Sequence, residues 1–141
     1  MKSNDGKYLE SLVEKELNKN SNPSFFHRRL HDGRASKVKT PAQPADFFIC
    51  GKEIGPIHLE LKSRGHKNFR LEQFSQFALM RRWAQAGVKG LVLVHFYESE
   101  ALILVDVAEL PQSAKSWDLS EKGVRCHGSN LDKLIKDHVL I

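Results

Sequence analysis

Two carboxylates and an amine fall at spacings that could build a hydrolytic centre. Asp46 opens one predicted strand, and Glu60 and Lys62 lie two residues apart on the next. Side chains two positions apart share one face of a strand, roughly 6.6–6.8 Å apart along it, within reach of one ligand. Carboxylate oxygens suit Mg²⁺, and a neighbouring ammonium can orient water or stabilise negative charge on a phosphate. This set predicts metal-dependent hydrolysis of a phosphodiester.

The spacing alone leaves a second interpretation open. The pattern acid-x-Lys occurs twice, as Asp5-x-Lys7 and as Glu60-x-Lys62. Only the second lies on a predicted strand, follows a strand with its own carboxylate and comes after a basic segment. The residues are equally consistent with an exposed strand face whose Glu60–Lys62 pair contributes under ~1 kcal/mol.

The elements that would position these residues follow from the hydrophobic pattern. Apolar and polar residues alternate from Ile57 to Lys62, which indicates a strand with one buried face. Helices are expected at about 5–18, at 71–86 and from Ser129 or Asn130 to Val139, and strands at 25–27, 47–50, 57–62, 90–96 and 101–105. Residues 111–128 show no periodicity and are expected to be irregular. The order predicts the α/β class, with a central mixed β-sheet flanked by helices.

Positive charge is concentrated in the first half of the chain. Residues 1–70 hold fourteen basic and eight acidic side chains, whereas residues 71–141 hold eight and nine. A basic segment at about 28–44 is expected to form a mobile loop, and its cations are Arg28, Arg29, Arg34, Lys37 and Lys39. Such a concentration favours a polyanionic partner, while a loop that only aids solubility stays open.

Composition limits the class of protein. With 141 residues, 40% of them hydrophobic and 28% charged, the chain fits a single globular domain. No apolar run approaches the ~20 residues needed to cross a bilayer, and no signal-type segment opens the sequence, so an intracellular protein is expected. Cys50 and Cys126 are too few for a disulfide scaffold, and the ligand spacings of zinc sites are missing.

Two segments resemble the core motif of the PD-(D/E)xK nuclease superfamily. They are Pro44-Ala45-Asp46-Phe47 and His58-Leu59-Glu60-Leu61-Lys62-Ser63-Arg64, with the proline displaced by one position. The finer likeness is to Holliday junction resolvases of the archaeal Hjc and bacterial RecU types, and it covers about residues 6–110. It implies a restriction-endonuclease-like fold.

The resemblance also implies roles for individual residues. Gly6 and Glu10 have the spacing of a glycine and a metal-site glutamate in the first helix of those families. Glu10, Asp46 and Glu60 would then bind Mg²⁺, for which Mn²⁺ can substitute, and Lys62 would serve the hydrolytic water.

Outside that set, the resemblance implies two further residues. Gln73 is the best match to a functional glutamine that follows the Glu-x-Lys strand, and Gln76 is a weaker match. Ser36 lies in the basic segment, where some archaeal members use a serine, so the expected DNA-binding set is Arg28, Arg29, Arg34, Ser36, Lys37 and Lys39.

The function implied is an Mg²⁺-dependent, structure-selective DNA endonuclease, a Holliday junction resolvase that leaves 5′-phosphate and 3′-hydroxyl ends. Two coordinated cuts in a four-way junction call for two active sites, hence a C2 homodimer. The implied location is the cytoplasm, at the nucleoid or, for a phage-encoded enzyme, in the host cell. Two alternatives remain: a flap, nick or restriction-type nuclease of the same fold, and a non-catalytic DNA-binding module.

Overall fold

The description that follows is of a computed structural model, in which residues 6–20, 25–30, 45–65, 68–70, 74–119 and 123–140 are described. The helices are α1 (Gly6–Asn20), α2 (Phe77–Gln85) and α3 (Leu131–Leu134), and α3 continues as a π-helical turn over Ile135–Val139. The strands are β1 (Phe25–Arg29), β2 (Phe47–Gly51), β3 (Ile57–Arg64), β4 (Asn68–Arg70), β5 (Lys89–Phe96), β6 (Ala101–Asp106), β7 (Ser116–Asp118) and β8 (Val124–His127). No described helix is both long enough and apolar enough to span a membrane.

Six of the strands form one mixed sheet in the order β1-β2-β3-β5-β6-β8. Only β3 and β5 run parallel; the other neighbours in this sheet are antiparallel. A parallel pair needs a crossover, and α2 lies in the connection between these two strands. β4 and β7 form a separate antiparallel pair. The predicted α/β class, a central mixed sheet flanked by helices, is confirmed.

Strand alternation divides the apolar residues between two cores. Leu59 of β3 and Leu91 of β5 face α1 and α3, where α1 contributes Leu9, Val13 and Leu17 at successive four-residue intervals. Val92 and Val94 of β5 face the other way, toward α2 and the segment after β6. The even-numbered residues of β3, which include Glu60 and Lys62, therefore lie on the α2 face of the sheet.

A glycine lets α2 approach this face closely. A Cβ atom on Gly90 of β5 would lie 2.8 Å from Val107 Cγ2 and 3.3 Å from Met80 Cε. Gly90 is the β5 partner of His58, and the ring of Trp83 in α2 contacts the ring of His58. The small residue therefore sets how near α2 comes to the polar row of β3.

Several predicted elements differ from those observed. The second helix begins at Phe77, later than the expected 71, because residues 74–76 form a turn before it. Residues 111–128 are not irregular throughout: β7 pairs with β4, and β8 extends the main sheet. Asn130 precedes α3, but its side chain makes no capping hydrogen bond.

Candidate active site

Asp46 and Glu60 come together where β2 and β3 end their pairing. Phe47 and Leu59 are register partners, so the next residues toward that end are Asp46 and Glu60. The Asp46 carboxylate accepts a hydrogen bond from the Leu61 N–H at 2.9 Å, and its carbonyl accepts one from the Leu30 N–H at 2.7 Å. Asp46 is thus held by backbone donors from the strands on both sides.

Glu60 is buried, so it is not one half of an ordinary surface ion pair. Its exposed fraction is 1%, because α2 and the neighbouring strands cover this part of the sheet. Burial, followed by the hydrogen bond with Asp46 and the negative charge of Asp46, raises the pKa of Glu60 to about 9, against the opposing effect of Lys62. At neutral pH the Glu60 carboxyl therefore retains its proton.

Lys62 is anchored beside this pair. Its Nζ lies 3.5 Å from Glu60 Oε2 and donates to Gln76 Oε1 at 3.3 Å. It also lies 5.9 Å from the centre of the Phe74 ring. The Ser75 hydroxyl donates to the same Gln76 oxygen at 3.2 Å. Gln76 consequently fixes the position of the ammonium group.

The glutamine that contacts Lys62 is the weaker of the two sequence matches. Gln73, the better match, lies outside the described residues, so its predicted role remains a prediction. Gln76 immediately precedes α2, and Ser75 was not singled out by the sequence pattern. The sequence feature that could have identified Ser75 is its position next to Gln76, at the start of α2.

Glu10 lies in α1, and its carboxylate is paired with Arg29 of β1. Arg29 also lies 3.6 Å from the Glu14 carboxylate. Burial and then the charge of Asp46 raise the pKa of Glu10, while Arg29 lowers it. The Asp46 effect places Glu10 in the same region, but its carboxylate is bound to a cation of the protein.

The three expected ligands are therefore not gathered into one cluster. Within the parts of the chain that the structure describes, no group of three or more His, Cys, Asp or Glu side chains is placed to hold a metal ion. Asp46, Glu60 and Lys62 are brought together, and Glu10 is not joined to them. Metal binding by Glu10 stays a prediction.

The Asp46–Glu60 pair nevertheless fits a divalent cation. Glu60 Oε1 is buried and has no hydrogen-bond partner among the described residues. Two adjacent carboxylates cannot both carry their charge in a buried site without a proton or a cation between them. Mg²⁺ prefers oxygen ligands and keeps several waters, so two carboxylates are enough to hold it.

Of the six predicted DNA-binding residues, the structure describes two, Arg28 and Arg29. Arg28 and Arg29 lie in β1, not in a loop, and strand alternation sends them to opposite faces of the sheet. Arg29 faces α1 and its glutamates, so it is engaged within the protein, whereas Arg28 is exposed. The remaining members of the set, Arg34, Ser36, Lys37 and Lys39, lie outside the described residues.

A row of aromatic side chains lies beside the carboxylates. The His58 ring is 5.5 Å from the Phe48 ring and 5.3 Å from the Trp83 ring, centre to centre. His58 is buried, and burial lowers its pKa. Trp83 is 43% exposed. It stands at the rim of the site.

Comparison with known proteins gives a likeness to solved structures but no match by sequence. No protein-family model and no curated protein matches the sequence. Among solved structures, the chain is similar to the 1.6 Å structure of Archaeoglobus fulgidus Hjc, a Holliday junction resolvase from an archaeal hyperthermophile. The identity is 16%, the TM-score is 0.49, and 86% of each chain is covered.

Proposed function

We propose that this protein is a metal-dependent endonuclease that cuts branched DNA. One observation carries the proposal: the buried Glu60 carboxyl lies next to Asp46 across the β2–β3 register, and its Oε2 is 3.5 Å from the Lys62 ammonium. Two oxygen ligands and a fixed cation at one point suit the chemistry of a phosphodiester better than that of a neutral substrate.

Each residue has a defined task in this proposal. Asp46 and Glu60 would hold Mg²⁺, or Mn²⁺ in its place, and the backbone bond from Leu61 keeps the Asp46 carboxylate aimed at the site. When bound, the cation supplies a Lewis acid and a water of lowered pKa. Lys62, steadied by Gln76, orients the attacking water and stabilises the charge that grows on the phosphate.

The substrate class follows from charge and from the resemblance described above. The chain carries a formal net charge of +5, and Arg28 offers an exposed cation on the face that bears Glu60 and Lys62. A four-way junction is the proposed substrate, cut to leave 5′-phosphate and 3′-hydroxyl ends. The solved structure with a similar backbone is named a Holliday junction resolvase, which is the same class of activity. Paired cuts then require a homodimer.

The test compares three DNA substrates under one set of conditions. A synthetic four-way junction, a flap and a linear duplex are incubated with the protein in Mg²⁺ and in chelator. We expect symmetric nicks in the junction, only with the metal present. Cutting confined to the flap or the duplex would instead indicate a flap or restriction-type nuclease.

Substitutions test which residues are required for cleavage. Asp46→Asn and Glu60→Gln should each abolish cleavage, because each variant lacks one carboxylate ligand of the metal ion. Both variants should still bind the junction, because the exposed Arg28 side chain is unchanged. Glu53→Gln, at an exposed position in the turn between β2 and β3, is the matched control and should cut normally. Normal cutting by Asp46→Asn in Mg²⁺ would refute the site, and binding without any cutting would favour a non-catalytic module.

A further inference from the structure

The sheet face that carries Glu60 and Lys62 continues onto β1 and β2 as an aromatic and basic surface. Arg28 is the register partner of Phe48, and Phe48 is the partner of His58. Phe26 lies two residues before Arg28, so both project to this same face. Phe26 is 56% exposed, the largest exposed fraction among the large apolar side chains of the described residues.

These residues form successive rows at fixed distances from the carboxylates. One strand step of two residues is roughly 6.6–6.8 Å, so the Arg28–Phe48 row lies one step from the Asp46–Glu60 row. Phe26 lies one further step away, roughly 13 Å from the carboxylates along the strand. A strand of nucleic acid leaving the site along β1 would therefore meet first a guanidinium and then an aromatic ring.

An exposed phenylalanine can stack on the flat face of a DNA base, which is covered in a continuous duplex. Every base has a π-face, but in a continuous duplex that face is covered by the neighbouring base pairs. Base stacking on an aromatic side chain therefore requires an unpaired or unstacked nucleotide. Arg28, between the ring and the carboxylates, would contact the backbone of the same strand.

We propose that Phe26 and Arg28 form a subsite for an unpaired nucleotide close to the cleaved phosphate. The inference rests on the proposed function and adds that the junction is bound with a nucleotide unpaired or unstacked at its branch point.

The charge of the surface favours this occupant over a second copy of the chain. Pairing this face with itself would bring like charges together at Arg28 in a chain that is already positive, which is unfavourable. A phosphate backbone neutralises the same charge.

The test uses binding without cleavage, in Ca²⁺, on two DNAs that differ in one feature. One is a duplex with a single unpaired 2-aminopurine, and the other is the same duplex fully paired. Phe26→Ala and Phe26→Leu should weaken binding to the first by about 5- to 150-fold and leave the second unchanged. Phe26→Tyr should retain binding, since it keeps the ring.

Fluorescence of the 2-aminopurine reports stacking directly. The wild-type protein and Phe26→Tyr should quench it, and Phe26→Leu should not. Tyr8→Ala is the matched control, because Tyr8 is an exposed aromatic residue on α1, on the other side of the sheet, and should change neither signal.

Three results would overturn the inference. The first is that Phe26→Leu binds the duplex with the unpaired nucleotide as tightly as the wild type does. The second is that Phe26→Ala and Phe26→Leu lose as much affinity for the fully paired duplex. The third is that Phe26→Ala has a different oligomeric mass in solution from the wild type, which would assign the surface to a protein partner. Failure of this subsite and of the proposed function are distinguishable. If Phe26 variants bind and quench normally while Asp46→Asn abolishes cleavage, only the subsite is wrong. If no DNA is cut but stacking depends on Phe26, only the nuclease is wrong.

Discussion

Glu60 shows how burial changes the chemistry of a single residue. On a solvated strand, a glutamate two positions from a lysine would be a weak ion pair. Here the carboxyl has an exposed fraction of 1% and faces a second carboxyl, so its neutral form is favoured and its pKa is raised to about 9. A bound divalent cation would displace the proton of Glu60, which links metal binding to pH.

The raised pKa of Glu60 predicts how stability depends on pH in the metal-free protein. Between pH 4.5 and about 9 the folded state retains a proton that the unfolded state releases, so the free energy of unfolding falls as pH rises. The slope from this one group approaches about 1.4 kcal/mol per pH unit. Urea unfolding in chelator across this range measures it.

Glu60→Gln is the variant that isolates this contribution. It keeps the shape of the side chain and removes its titration, so its stability should fall less steeply with pH than that of the wild type. Saturating Mg²⁺ should flatten the wild-type curve in the same way. Parallel curves for the two proteins in chelator would show that the Glu60 carboxyl titrates normally.

Gln76 acts on the reaction through Lys62. Gln76→Leu removes the acceptor of the 3.3 Å bond while keeping a similar volume. Hydrogen bonds to charged groups contribute about 1.5–3 kcal/mol, so we expect kcat to fall roughly 10- to 150-fold. The affinity for junction DNA should not change, because Gln76 positions the ammonium and is not proposed to grip the substrate. Gln76→Glu, which can still accept from Lys62, should recover part of the rate, and a loss confined to KM would assign Gln76 to DNA binding.

At the scale of elements, β1 assigns opposite roles to two adjacent arginines. Alternation places Arg28 on the face of Glu60 and Arg29 on the face of α1, where it binds Glu10 and Glu14. Arg28→Ala should therefore weaken DNA binding and reduce the slope of log K against log salt by about one. Arg29→Ala should leave that slope unchanged. Equal slopes for the two variants would show that Arg28 and Arg29 do not differ in their contribution to DNA binding.

The same contrast shows what local pattern could and could not predict. Alternation from Ile57 to Lys62 is a property of the backbone, so it predicted β3 and the shared face of Glu60 and Lys62 correctly. The Arg29–Glu10 pair joins positions nineteen residues apart, and no local period reports such a contact.

Long-range pairing also explains the elements that were missed. β4 pairs with β7 and β8 pairs with β6, so both strands within 111–128 depend on residues elsewhere in the sequence. Trp83 has core-like spacing within its helix, yet α2 ends near the rim of the site. Its exposure is set by where the whole helix lies, which helical periodicity cannot indicate.

At the scale of the whole molecule, one chain supplies one set of Asp46, Glu60 and Lys62, and a four-way junction needs two cuts. The proposed homodimer would place two such sets on one junction, related by the two-fold symmetry of the DNA. Cutting of both strands within one binding event then depends on two competent subunits.

Mixed dimers test this arrangement. Wild-type chains co-expressed with tagged Asp46→Asn chains are purified as the mixed species and added to a supercoiled plasmid that extrudes a cruciform. A wild-type dimer should convert the plasmid to linear DNA, because both cuts occur before release, whereas the mixed dimer has one active site and should stop at the nicked circle. Wild type mixed with tagged Glu53→Gln is the control and should give linear product. Failure to recover any mixed species, together with a monomer mass at working concentration, would refute the dimer, and the two cuts would then come from independent encounters.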